Sequence, residues 1–392
     1  MIIVNAGGHF MYRERSAAED DFLEVVDARL SHSSFSVSGF ELEAYVTRTL
    51  HCDGRPSLRT YFLAPTSLFV LLSILVIGRP AVASAAAKPD GSIGGLTVKF
   101  VDVKGVKTRY YDAGQGDVIV MIHGGFTAGS STANVFSRNI PGLAKRFRVI
   151  APDRLGCGLT GNPSDQEYGT AAQVEFMYQF IQTLKLGRVH LVGHSAGGAI
   201  AFYLAAEHPE IVRTLTVLGV GPQSSGVNNG PTKMDLSKCP DQNVYEGLRC
   251  RVEALGWLPT TFDPEYWEAD QLMATQPKSR EARAQVTAAA QANPQAAQAS
   301  GYRDRLLDRA KNGGVPMPIL LVAGKQDVLD WRKDEPTSML RGELAFFDTV
   351  GAKNPKVQMI IFNEGGHFMY REHPEQFNGD LLGFIDFWEH AK

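Results

Sequence analysis

Residues 188–207 read RVHLVGHSAGGAIAFYLAAE, and the fold is decided there. RVHLVG is a short apolar run of the length a buried strand needs. AIAFYLAAEHP, further on, is rich in the residues that favour helix. Between them, Gly193, Ser195 and Gly197 stand in G-x-S-x-G spacing. A strand, a tight turn and a helix in that order hold a serine hydroxyl out above a sheet, and glycines relieve the crowding at such a turn.

Working outward, the same kind of run recurs. LTVKFVDV (96–103) and VKTRYYDA (106–113) alternate as a hairpin pair does, and VIVMI (118–122) is apolar throughout. FRVIAP (147–152), VRTLTVLG (212–219), PILLVAG (318–324) and VQMIIF (357–362) complete the set. Helical-period stretches at 131–145 and 170–185 precede the strands at 147 and 188. Strands alternating with helices predict a mostly parallel eight-stranded α/β sheet with helices on both faces. Ligands of such sheets bind beyond the carboxyl ends of the strands, so functional residues are expected directly after them.

A serine hydroxyl is a poor nucleophile at neutral pH and needs a base in reach, oriented by an acid. PILLVAG is followed by Lys325, Gln326 and Asp327, and VQMIIF by Asn363, Glu364, Gly365, Gly366 and His367. The chain order Ser195, Asp327, His367 suits nucleophile, acid and base. Asp330 and Asp334 are rival acids on the same loop; Asp327 is nearest the strand end. His190, inside a strand, and His194, beside the nucleophile, read as packing or turn residues. The tetrahedral intermediate needs two fixed donors. One is the N–H of Ala196. The other comes from the turn after VIVMI, His123-Gly124-Gly125-Phe126, with Gly125 first and Phe126 next.

With these residues in place, HGGF (123–126), DRLGCGLT (153–160), GHSAGG (193–198), the Asp327 loop and GGHF (365–368) resemble the α/β-hydrolase superfamily over about residues 93–392. That resemblance implies a structural role for the Asp153 loop and a variable cap over 220–315. It disfavours dehalogenase and epoxide hydrolase chemistry, whose nucleophile is a carboxylate. The end GGHFMYREHPEQFN is similar to meta-cleavage-product hydrolases, which cut carbon–carbon bonds in ring-fission products. It differs from them at His194, where they usually carry Asn, and at Phe368, where they often carry Trp. The expected activity is hydrolysis of small carboxylic esters or lactones through an acyl-enzyme. Carbon–carbon, amide or peptide hydrolysis is the enzymatic alternative, and a ligand-binding module without turnover the non-enzymatic one.

Trp257, Phe262, Tyr266 and Trp267 lie in the cap; they read as its core at least as readily as a substrate pocket. Cys239 and Cys250, 11 positions apart in the same region, are candidates for a disulfide if the protein is exported. Cys157 reads as a small space-filler. No His/Cys/Asp cluster has metal-ligand spacing, and no phosphate loop occurs apart from the serine turn, so neither metal nor other cofactor is expected. The 39 Lys+Arg against 42 Asp+Glu give a charge of −3, and no basic field argues for nucleic acid. The oligomeric state is not legible.

The first 87 residues read differently from the rest. MIIVNAGGHFMYRER (1–15) repeats MIIFNEGGHFMYREH (359–373) except at Val4/Phe362, Ala6/Glu364 and Arg15/His373. The expectation is a duplicated remnant over 1–54 without structural role; an added strand or a second functional histidine, His9, is the sharper reading. Residues 55–87 resemble a secretory signal: Arg55 and Arg59, the apolar run YFLAPTSLFVLLSILVI (61–77), then AVASAAA with small residues at Ala83, Ala85 and Ala87. Secretion or export to the periplasm is therefore expected, with no lasting membrane partner once the signal is removed. Membrane anchoring through 61–77 is the alternative. The catalytic domain then occupies 88–392.

Overall fold

In a computed structural model that describes residues 2–5, 10–12, 87–125, 131–219, 239–241, 244–292, 300–327 and 338–390, each of the eight strands expected between 96 and 362 is formed. For 2–5 and 10–12 only the backbone is described. The two N-terminal strands are β1 (Ile2–Asn5) and β2 (Phe10–Tyr12). Then come β3 (Val98–Val103), β4 (Val106–Ala113), β5 (Val118–Ile122), β6 (Arg148–Pro152), β7 (Val189–His194), β8 (Val212–Leu218), β9 (Ile319–Gly324) and β10 (Val357–Phe362).

β3 and β4 pair antiparallel with Val103 opposite Val106. Lys104 and Gly105 turn the hairpin, both at positive φ, which matches the right-handed twist of the strands. From β6 to β10 the sheet is parallel, in the order β6-β5-β7-β8-β9-β10. β5, β7 and β9 are buried at every position because helices cover both faces, which is why they read as unbroken apolar runs. Alternate residues of β5 enter opposite cores: Val118, Val120 and Ile122 one, Ile119 and Met121 the other. The order of connection reverses at β5, with β6 on one side and β7 on the other, so the carboxyl ends of β5 and β7 flank the crevice where such sheets bind ligands.

The helices are α1 (Ile140–Leu143), α2 (Thr170–Thr183), α3 (Ala196–Glu207), α4 (Tyr245–Glu253), α5 (Pro264–Ala274), α6 (Pro277–Ala292), α7 (Ser300–Lys311), α8 (Ser338–Gly351), α9 (Met369–Glu372) and α10 (Pro374–His390). α2, α3, α7 and α8 bury Phe180, Phe202, Leu306 and Phe346 against one face. α1, α5 and α10 bury Leu143, Tyr266 and Phe377 on the other. No helix among the described residues is long and apolar enough to cross a membrane. The stretch 61–77 lies outside the described residues.

Three expectations change. The stretch 131–145 is not one helix: a 3-10 turn at Ala133–Phe136, capped by the Thr132 side chain, is followed by the short α1. Pro141 sits in the first turn of α1, where a missing N–H costs nothing; further inside a helix it would break the ladder. The cap is also shorter than 220–315 at its far end. α7 belongs to the body, packing Leu306, Leu307 and Ala310 into the core beneath α3 and setting Tyr302 edge-on to Tyr203 at 5.4 Å. Finally, the N-terminal copy does have structure. β1 pairs antiparallel with β10, Ile2 opposite Ile361, and β2 pairs with β1, so all eight expected strands are present and two more join their edge. Without β1, β10 would be a sheet edge, and an edge of unpaired backbone groups accepts a strand-forming segment such as IIVN.

Candidate active site

Ser195 joins β7 to α3 with φ 54 and ψ −125, a left-handed backbone that costs energy for any residue but glycine. The crossing is held by close backbone approach. A Cβ on Gly193 would collide with the Gly197 carbonyl and with Ala201, and one on Gly197 would meet the Ile122 and His123 carbonyls. The Ser195 N–H donates to the Leu218 carbonyl at 2.8 Å, and the Ser195 carbonyl accepts from Gly198 at 2.8 Å. Because α3 starts at Ala196, the N–H of that residue belongs to the first turn and has no partner within the helix. β5 ends beside this turn: a Cβ on Gly124 would lie 2.7 Å from the Ser195 Cβ.

Asp327 follows β9 and His367 follows β10. Parallel pairing of these strands, with Phe362 opposite Gly324, brings their loops together. His367 Nδ1 lies 2.7 Å from Asp327 Oδ2, and both residues are buried. A carboxylate only accepts, so Nδ1 carries a proton, and in the neutral ring it is Nε2 that bears the lone pair a general base requires. Asp330, Asp334 and Phe126 fall outside the described residues. The Cβ position of Gly219 lies 3.4 Å from His367 Nδ1, in van der Waals contact with the ring, and its φ of 77 favours glycine.

The His367 loop is tied to the cap. Its N–H donates to the Leu255 carbonyl at 3.2 Å. Glu372 accepts from the Gly366 N–H at 2.7 Å with one carboxylate oxygen, and from the Trp257 N–H at 2.6 Å and the Thr261 hydroxyl at 2.8 Å with the other. Buried Arg371 donates to the Thr261 carbonyl and to Ser137 Oγ. His194 is no base candidate. Its Nε2 lies 2.8 Å from the His367 carbonyl oxygen and its Nδ1 3.1 Å from the Tyr370 hydroxyl. Burial, then the neighbouring His367, holds its pKa well below the ordinary imidazole value.

Gly124, Gly125, Ser195 and His367 line one cavity together with Ser131, His194, Phe368 and, from the cap, Val252, Leu255 and Tyr266. Of the four cap aromatics only Tyr266 reaches it. Phe262 and Trp267 pack on Tyr266 at 4.7 and 5.1 Å, and Trp257 is half exposed. Periodicity could not single out Tyr266, nor show that Val252 and Leu255 face the site. Asp153 has the structural place expected of it: fully buried, it pairs with buried Arg109 at 3.1 Å and accepts from the Ala133 N–H at 2.8 Å. Cys239 and Cys250 are joined, with their Cα atoms 5.6 Å apart, and Cys157 is buried and free. No group of metal-ligating side chains occurs among the described residues.

The sequence model of the alpha/beta hydrolase fold family matches residues 117–374. The 2-hydroxy-6-oxo-6-(2'-aminophenyl)hexa-2,4-dienoic acid hydrolase of Metapseudomonas resinovorans is 30% identical over 292 residues, 73% of this chain and 90% of that protein. The 2-hydroxy-6-oxononadienedioate/2-hydroxy-6-oxononatrienedioate hydrolase of Paraburkholderia xenovorans is 27% identical over 74% of this chain and 95% of its own length. Among solved structures, a serine hydrolase involved in carbazole degradation (CarC) covers 74% of this chain and 99% of its own at 26% identity, with a TM-score of 0.57.

Proposed function

This chain belongs to the α/β-hydrolase family, and from that premise we propose that it is a serine hydrolase that attacks a carbonyl carbon through Ser195. The observation that carries the reading is the buried 2.7 Å contact of His367 Nδ1 with Asp327, at the rim of the cavity that also holds Ser195. His367 Nε2 takes the serine proton as Oγ attacks. The N–H groups of Gly125 and Ala196 hold the oxyanion. His367 returns the proton to the leaving group, and water, deprotonated by the same ring, releases the acyl group and regenerates Ser195.

Both relatives are hydrolases of 2-hydroxy-6-oxo unsaturated acids, and the resemblance over most of their length supports a carbon leaving group: cleavage of the carbon–carbon bond beside a ketone in a compound of that class. Hydrolysis of a small ester or lactone is the second reading. It is favoured by His194 and Phe368, which stand where those enzymes usually carry Asn and Trp. Export remains part of the proposal, supported by the pattern at 55–87 and by the disulfide in the cap. No nucleic-acid partner is proposed.

The experiment sets a 2-hydroxy-6-oxo-6-phenylhexa-2,4-dienoate against short-chain p-nitrophenyl esters, with Ser195→Ala as control. Turnover of the dienoate at higher kcat/KM than any ester supports carbon–carbon hydrolysis, and the reverse order supports the ester reading. Both activities should fall by several orders of magnitude in Ser195→Ala. If neither substrate turns over and a serine-directed phosphonate leaves no adduct on Ser195, the serine mechanism is wrong.

A further inference from the structure

The peptide between Gly124 and Gly125 has two ends with different tasks. Its N–H, on Gly125, is the donor assigned above to the oxyanion. Its carbonyl, on Gly124, accepts two hydrogen bonds from buried residues outside the triad. His123 Nδ1 lies 2.7 Å from that oxygen and Arg154 Nη2 3.0 Å from it. The Arg154 backbone N–H in turn lies 2.9 Å from His123 Nε2. A backbone N–H only donates, so Nε2 is the acceptor. The one proton of the neutral ring is then on Nδ1, directed at the Gly124 carbonyl. Burial keeps the ring neutral, and the nearby Arg154 charge adds to that. The circuit is complete: Arg154 N–H to Nε2, Nδ1–H to the carbonyl, and guanidinium N–H to the same carbonyl.

Arg154 is only 6% exposed and forms no ion pair among the described residues. Its Nε has no hydrogen-bond partner among the described residues, and its Nη2 also lies 3.4 Å from the Gly125 carbonyl. A buried cation without a counter-charge carries a desolvation cost that backbone dipoles only partly offset. Here, among the described residues, the guanidinium's hydrogen bonds go to the Gly124 and Gly125 carbonyls, the first of them on the peptide pressed against the nucleophile. Gly125 has φ 122, open to glycine alone, and no side chain fits at Gly124 beside Ser195.

We propose that Arg154 and His123 are positioning residues that polarise the Gly124–Gly125 peptide and so strengthen the oxyanion donor. Both bonds draw electron density toward the Gly124 oxygen, leaving the Gly125 N–H more positive. They also fix the peptide plane, so the donor faces the cavity before charge develops on the substrate. When the tetrahedral oxyanion forms, the guanidinium charge stands one peptide away from it. No proton moves through the circuit. This inference rests on the serine hydrolase reading and on Gly125 as one oxyanion donor.

The test measures kcat and KM in the full chain for Arg154→Gln, Arg154→Lys, His123→Ala and His123→Asn. It also records the Gly125 amide proton shift in a phosphonate adduct on Ser195, with glycine labelled with nitrogen-15. Loss of a whole oxyanion donor costs about 100- to 1000-fold in kcat; weakening one should cost about tenfold. Arg154→Gln, which keeps an N–H donor but no charge, should lose about tenfold in kcat with KM within about twofold. The Gly125 proton should move upfield, and Arg154→Lys should recover part of the loss. His123→Asn, whose amide can reach the same carbonyl, should outperform His123→Ala. Wild-type kcat and an unmoved Gly125 proton in Arg154→Gln would overturn the inference. Should that variant fail to fold, the His123 pair decides: His123→Ala with wild-type kcat overturns it equally. A wild type that neither turns over nor takes the phosphonate on Ser195 sinks the hydrolase reading and this inference with it. An active wild type leaves the variants to judge the inference alone.

Discussion

Removing the Glu372 side chain tests whether the base loop is held by the cap. Glu372 is 8% exposed and collects three short hydrogen bonds: Gly366 N–H at 2.7 Å, Trp257 N–H at 2.6 Å and Thr261 Oγ at 2.8 Å. Glu372→Ala leaves the Thr261 hydroxyl provided for, because it also reaches the Leu258 carbonyl at 2.7 Å. The Gly366 and Trp257 N–H groups have no such alternative among the described residues, and the Leu258 N–H, 3.4 Å from the same carboxylate, loses a longer bond. Each buried donor left unpaired costs about 1–3 kcal/mol, and water entering the vacated space recovers some of it. A loss of about 3–4 kcal/mol follows, or roughly 5 °C in Tm for a domain of about 300 residues. Calorimetry on Glu372→Ala and Glu372→Gln reads it directly. The glutamine should recover at most about half, since its amide offers one acceptor oxygen where two are used. Because Gly366 precedes His367, kcat should fall by more than tenfold with KM little changed. A Tm within about 2 °C of wild type, with kcat intact, would refute the claim that this carboxylate couples cap to base.

Three further outcomes are expected. Burial holds the Asp270 carboxyl protonated up to about 7, against hydrogen bonding by Tyr245 and the charge of Arg283, which lower it. The folded state therefore keeps a proton that the unfolded chain has released, and stability should fall as pH rises from about 4 to 7, by a few kcal/mol, then level off. Asp270→Asn should flatten that slope in urea titrations at pH 5 and pH 8; parallel profiles for the two proteins would count against it. Gly197→Ala puts a methyl against two β5-end carbonyls, so circular dichroism and phosphonate labelling should show loss of native protein or of a reactive Ser195. Cys250→Ser opens a loop of 11 positions, worth about 3 kcal/mol in the chain-entropy account, and thiol titration of the unreduced wild type should find Cys239 and Cys250 unreactive.

The sheet was legible because burial on both faces leaves a central strand such as β5 apolar throughout, and because alternation marks the half-buried β4: β4, β5 and β10 begin and end where VKTRYYDA, VIVMI and VQMIIF do. The triad candidates were legible for a related reason. Parallel strands deliver their following residues to one edge, so three loops far apart in sequence are bound to meet. What escaped notice lies between elements. Nothing along the chain ties His123 to Arg154, 31 positions on, or Glu372 to Trp257; those pairings are set by loop paths that periodicity does not encode. The stretch 131–145 misled because its apolar residues Val135, Phe136, Ile140 and Leu143 keep helical spacing across a break. They are buried in one core regardless of the turn between them.

The repeated segment shows how far a motif depends on its place. In the second copy Phe368 caps a helix, Met369–Glu372, whose Arg371 and Glu372 bind the cap and the base loop. In the first copy the same three letters, Phe10–Tyr12, form a strand. Local sequence is nearly identical, so the choice between helix and strand comes from tertiary partners. The same pairing weighs against His9 as a second base. β1 runs antiparallel to β10, with Asn5 opposite Gln358 and Ile2 opposite Ile361. β1 thus ends, at Asn5, beside the amino end of β10, while His367 follows the carboxyl end; His9 itself lies outside the described residues. Gln358 and Phe362 stand four steps of extended strand apart, roughly 13 Å at about 3.3 Å per step. A copy of the loop that starts from the wrong end of the strand has the residues of a base but not the address. His9→Ala should therefore leave kcat/KM within twofold of wild type, and a larger loss would mean that the first copy reaches the site by another route.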